Sequence, residues 1–216
     1  MKNFILGLGL LLSVAATVTG CRETSKLPEP ASESLPLIFP TPSDNPFRRY
    51  FDLQRGRRSI NLLANYENPT RPIYQFTINP SNRDVKIRTV EVYKSFAIPL
   101  NASGTAYSFN PRVKLGDYST FPTTVTLNSM EALKGLTYLD AGVPIPIIQL
   151  LPDGSPDPTQ SYVRVAFGTA VVFTFEYILE DGRRIILTPL DTRGGVTGTF
   201  TAKPYAAYAV FQDSIQ

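Results

Sequence analysis

Histidine and tryptophan are absent from this chain of 216 residues, cysteine occurs once and methionine twice. Without histidine there is no Ser-His-Asp triad, no Cys-His pair and no histidine-bearing zinc site, so the commonest hydrolase and metallohydrolase chemistries are excluded. A single cysteine allows no intrachain disulfide. Charge of either sign is scarce too: 21 Lys and Arg against 18 Asp and Glu leave a net +3, short of the clustered basic excess that nucleic-acid binding uses. No nucleic-acid partner and no cofactor are expected. What the chain does have is 43% apolar residues, 19 prolines, 14 glycines, 11 tyrosines and 13 phenylalanines, a composition for a turn-rich globular fold with one hydrophobic core.

The N-terminus carries an address. Lys2 supplies a positive charge, Phe4 to Val14 is an apolar run, and small residues from Ala15 to Gly20 lead to Cys21, which is the layout of an export signal. The run is shorter than the roughly 20 apolar residues of a membrane-spanning helix. Val18-Thr19-Gly20-Cys21 resembles a bacterial lipobox, with Val18 where leucine is usual; the resemblance implies cleavage before Cys21 and acylation of its thiol. Cys21 is then the attachment to a lipid bilayer, and two or three acyl chains suffice for stable anchoring. The sequence thus divides into a signal peptide over 1–20, an acylated cysteine and tether over 21–46, and a β domain over 47–216.

Pro28, Pro30, Pro36, Pro40, Pro42 and Pro46 punctuate the tether, removing the backbone donors that a ladder or helix needs and predicting a disordered, semi-extended chain. Leu35 to Phe39 can stay in it or dock on the domain as an edge strand. Arg48, Arg49, Arg55, Arg57 and Arg58 follow, interrupted by Asp52; they suit either a solvated face or contact with anionic headgroups.

Strand periodicity sets in afterwards. Ile73–Ile78, Val85–Ile87 continuing through Val90–Phe96, and Tyr162–Phe167 alternate β-branched or aromatic residues with polar ones, predicting strands with one buried and one wet face. Val171–Leu179, Glu180-Asp181-Gly182 and Arg183–Thr188 read as a hairpin, and Tyr205–Phe211 as a final strand. One short helix is expected after Asn128, with Asn128 as cap, Glu131 at the third position and Gly135 as stop; Met130, Leu133 and Leu136 would bury it. The proline-rich stretch 141–158 reads as a long surface loop. These elements make an all-β protein, an antiparallel sandwich with one short helix.

Val90–Phe96, Thr120–Leu127 with its helix, Tyr177–Arg184 and Thr199–Tyr208 together resemble the immunoglobulin-like surface lipoproteins of the Bacteroidota that are encoded near starch-utilisation-type uptake systems. The resemblance spans residues 70 to 211 and implies an immunoglobulin-like β-sandwich and an outer-membrane accessory lipoprotein for nutrient or glycan capture, with a transporter or a glycan as partner. It brings no catalytic residues. The alternative is a structural or assembly lipoprotein docking on another envelope protein, and the face of the membrane stays open.

Candidate chemistry is thin. Glu176, Glu180 and Asp181 are close in sequence, yet Glu176 and Glu180 on one strand stand about 13 Å apart, beyond paired-carboxylate spacing, and Asp181 suits the turn. Asp153 and Asp157 offer oxygen ligands without the alternation of a calcium loop. Arg193 to Gly198 lacks the Lys-Ser/Thr ending of a phosphate loop. Asn101-Ala-Ser103 and Asp213-Ser-Ile215 are sequon-like triplets. Tyr107, Tyr118 and Tyr138 fall in expected loops and are the candidate sugar contacts.

Overall fold

The computed structural model describes residues 40–52, 72–80, 86–102, 107–154, 157, 165–188 and 205–212. In chain order they form β1 (Thr41–Pro42), a 3₁₀ turn (Pro46–Arg48), β2 (Phe51–Asp52), β3 (Ile73–Ile78), β4 (Ile87–Pro99), β5 (Tyr107–Phe109), β6 (Val113–Tyr118), β7 (Thr123–Asn128), α1 (Ser129–Leu133), β8 (Thr137–Asp140), β9 (Val143–Pro146), β10 (Ala170–Leu179), β11 (Arg184–Ile186) and β12 (Ala207–Gln212). The described residues are mostly β with one short helix, as the periodicity predicts. The lipobox, the tether up to Phe39, Arg55, Arg57, Arg58, Ser103 of the first triplet, the triplet Asp213-Ser-Ile215 and the loop after residue 188 lie outside the described residues.

The long antiparallel pair β4·β10 is the spine, running from Ala170 opposite Ala97 to Leu179 opposite Ile87. Each flank is built in two pieces: β5 and β6 both pair with β4, and β12 and β11 both pair with β10. At the break between β5 and β6, Asn110 bonds the carbonyl of Phe96 through both its backbone amide and its side chain, each at 2.9 Å, and accepts from the amide of Leu139 at 2.8 Å. One buried amide thereby ties β4 to the β8·β9 hairpin. At the outer flank β2 joins β12 in parallel, Phe51 beside Phe211, so the pairing is not wholly antiparallel. A second sheet has the order β1-β3-β7. Its β1 comes from the segment that the sequence assigns to the tether, just beyond Leu35–Phe39.

Both sheets contribute to one core. Tyr74 of β3 stacks on Phe173 of β10 with centroids 5.7 Å apart, and Phe76 lies 5.1 Å from Phe173 and 5.9 Å from Phe175. Burial of such rings, at about 25 cal/mol per Å² of apolar area, is the main force holding the sheets together.

The helix forms where expected, with Asn128 accepting from the amides of Met130 and Glu131 while Glu131 reaches back to the amide of Asn128. Met130, Leu133 and Leu136 are buried and Gly135 has φ +78°. Its C-terminal end is closed from the core side. Lys94, on the same face of β4 as Val90, Val92 and Phe96, donates to the carbonyls of Glu131 (2.6 Å) and Lys134 (2.8 Å). Burial pushes this ammonium down to about 8, with Glu131 acting in the opposite sense.

Four expectations need correction. The stretch 141–158 is not one long loop: Ala141-Gly142, both with positive φ, close a tight hairpin between β8 and β9. Residues 165–167 are not in a strand, because the chain turns at Gly168 (φ +83°) to enter β10. The face of β4 expected to be wet is half-buried at Thr89, Glu91 and Tyr93 and buried at Ser95 and Ala97. Tyr107, Tyr118 and Tyr138 are not in loops; all three are on strands, Tyr107 and Tyr138 buried and Tyr118 half-buried.

Candidate functional site: a paired-carboxylate cluster on the spine

The β4·β10 register sets Glu91 directly opposite Glu176. Two like charges on facing residues of a sheet repel, and the structure surrounds them with cations from three directions. Arg112, from the break between β5 and β6, reaches Glu176 Oε1 at 2.6 Å. Arg184, the first residue of β11, bridges Glu176 Oε2 and Glu91 Oε2, the latter at 2.7 Å. Lys114 of β6 meets Glu91 Oε1 at 3.0 Å and Asp117 at 2.8 Å. Tyr93 donates its hydroxyl to Glu91 Oε2 at 3.0 Å, and the Arg112 guanidinium lies 4.4 Å above the Tyr93 ring, within cation–π range.

All four carboxylate oxygens of the pair are therefore engaged. Lys114 above all, then Arg184 and Tyr93, hold the Glu91 carboxyl below its usual range against the opposing effect of burial. Hydrogen bonds to Asp117 and Glu91 in turn raise the Lys114 ammonium. Three carboxylates, Glu91, Asp117 and Glu176, balance three cations, Arg112, Lys114 and Arg184, so the cluster has no excess charge to offer a ligand. Glu176 has a side chain 3% exposed, out of reach of a glycoside. The arrangement is a brace linking β4, β6, β10 and β11.

Sequence proximity pointed Glu176 towards Glu180 and Asp181, but neither joins it. Glu180 sits past the end of β10 with its carboxylate 3.9 Å from Lys86 in an exposed pair. Asp181 accepts from the backbone and side chain of Arg183 within the turn, as its turn reading implies. The partner that matters, Glu91, is remote in sequence and becomes visible only once the register is known. Asp153 precedes the positive-φ Gly154, and Asp157 bonds the carbonyl of Gln149 through its amide; among the described residues no group of three acidic or cysteine side chains is arranged to hold a metal ion. Arg49 donates to the carbonyl of Ser43 at 2.6 Å and Arg48 to the side chain of Gln75 at 3.1 Å, so both arginines are tied to the domain.

The candidate sugar-contact tyrosines are not brought together in an open site. The Tyr107 ring packs 6.4 Å from Phe109 and 5.9 Å from Tyr208 in a satellite cluster with Ala97, Ala170 and Val172. Tyr138 is 6% exposed in the main core, and Tyr118 is half-buried at the end of β6, packed against that core. Among the described aromatic residues, those the structure leaves exposed are Phe47 (69%) and Phe167 (61%). Phe167 was part of an expected strand, and its turn position carries no signal in the alternation. Among the described residues no helix is long and apolar enough to cross a membrane. Comparison with protein-family models, with curated proteins and with solved structures returns no match.

Proposed function

We propose that the protein is a lipoprotein of the outer membrane, anchored by an acylated Cys21, whose immunoglobulin-like β-sandwich acts as a non-catalytic accessory module in nutrient or glycan capture. The observation that carries this reading is the placement of the chain's one cysteine directly after a signal-type apolar run and small residues. Two sheets sharing an aromatic core are what a sandwich requires, and the absence of histidine leaves a binding role better supported than a catalytic one.

A carbohydrate contact needs an accessible aromatic surface. Phe167, 61% exposed and next in the chain to Gly168, which packs against Pro99 at the end of the spine, supplies one better than the three tyrosines. Calorimetric titration with soluble polysaccharides tests the module: saturable binding is expected, weakened about tenfold by Phe167→Ala, equivalent to about 1.4 kcal/mol, with the thermal midpoint unchanged. A flat response across polysaccharides would set the capture role aside and favour an assembly role.

A further inference from the structure

Sheet edges invite strand addition unless something blunts them, and this molecule blunts most of its edges visibly. On β9, Pro144 and Pro146 remove donors. On β6, Lys114 and Asp117 add charge and the register shifts beside Tyr93. The edges at β1 and β2 are two residues long, and β11 is three with Arg184 on it.

Among the described strands, the longest edge without such a device is β7. Thr-Thr-Val-Thr-Leu-Asn is uncharged, free of proline and high in strand propensity, and among the described residues it pairs with β3 alone. The amide of Ser129 bonds the carbonyl of Pro72, in register with Ile73 opposite Asn128. Ladder bonds alternate, so Thr123, Val125 and Leu127 turn their amides to β3 while Thr124 and Thr126 turn theirs to the open side. The edge is also bounded. Pro122 before it has no donor, and the outward amide of Asn128 is taken by Glu131 at 2.9 Å.

We propose that this open edge receives β7 of a second copy of the chain, antiparallel about Val125, to make one sheet continuous across two molecules. The pattern is self-complementary. Thr124 falls opposite Thr126 of the second copy, and each such pair exchanges two backbone hydrogen bonds, four in all. The side chains meet as threonine against threonine, a favourable cross-strand pairing already present where Thr77 lies 3.1 Å from Thr124. No like charges oppose one another, and a two-fold operation closes the assembly at two copies.

The test is cross-linking of the purified full chain carrying Cys21→Ser, so that an introduced thiol is the lone one. With Thr126→Cys the two thiols are on diagonal neighbours about 7–8 Å apart, within reach of a short bismaleimide. A dimer band is expected, about tenfold stronger than from the exposed Val143→Cys, and reduced about tenfold by adding Thr124→Pro, which removes an outward donor and leaves the β3 ladder intact. Thermal melts check that the proline variant folds. Thr124→Lys, which brings two charges together across the axis, should act in the same way if proline disturbs the fold. Equal cross-linking from Thr126→Cys and Val143→Cys, or a dimer insensitive to both substitutions, would overturn the proposal. So would a Thr126→Cys adduct formed in cells only with a different protein.

Discussion

Replacing Glu176 by alanine is expected to lower the free energy of unfolding by about 3–5 kcal/mol, read from the urea midpoint at neutral pH. The size follows from what the substitution leaves behind. Arg112, its side chain 14% exposed, loses the carboxylate 2.6 Å away and stays over the Tyr93 ring. Arg184 keeps Glu91 but no longer spans the two central strands. Removing a charge together with its partner costs less than stranding one, so the double variant Glu176→Ala, Arg112→Met should lose less than the sum of the two single losses. Glu180→Ala, in an exposed pair at 3.9 Å, should cost under about 0.5 kcal/mol. Equal losses from Glu176→Ala and Glu180→Ala would mean that the cluster braces nothing.

Alkaline pH is expected to unfold the protein steeply above pH 10. Tyr74 and Tyr177 are 2% and 0% exposed, and burial raises both phenols well above their ordinary value of 10.0. In the unfolded chain they release their protons near pH 10 while the folded state retains them. The folded state then binds more protons, and stability falls with rising pH by about 1.4 kcal/mol per unit for each phenol. Two of them remove about 5 kcal/mol by pH 12, a large part of a typical domain's stability. Tyr208, pushed up to about 12 by burial, adds to the same limb. Lys94 acts with the opposite sign: held down to about 8 when folded against 10.5 ordinarily, it gives stability that rises with pH between those values. A curve that climbs gently from pH 8 and collapses beyond 10 is the signature. Tyr177→Phe, which removes a buried hydroxyl without a hydrogen-bond partner, should leave stability at pH 7 nearly unchanged and shift the alkaline midpoint upward. A melting temperature level from pH 9 to pH 12 would contradict this ionisation account.

Local signals in the sequence were enough for several elements. Period-two alternation places β3 at the residues it occupies, and the Asn128 and Glu131 capping pattern locates α1, because cap and first turn are chemically determined over a few residues. The Asp181-Gly182 turn likewise marks the β10·β11 hairpin, with Gly182 at φ +87°. The β8·β9 hairpin was hidden for the same reason in reverse: its turn places Ala141, not asparagine or aspartate, at φ 48°, and β9 carries two prolines that mimic a loop. Only the register of β4 against β10 brings Glu91 to Glu176, and no single-strand periodicity carries that information. Lys94 shows the limit from another side. Its place in the alternation puts it on the apolar face, but the carbonyls that justify a buried ammonium belong to a helix far along the chain.

The account as a whole turns on whether Cys21 becomes lipid. Growth with a radiolabelled or alkyne-bearing fatty acid, followed by isolation of the full chain and of Cys21→Ala, measures this directly. The account predicts label on the wild-type chain, release of the wild type from membranes by detergent but not by high salt, and no label on the variant. An unlabelled wild type, or equal labelling of the two, would contradict it.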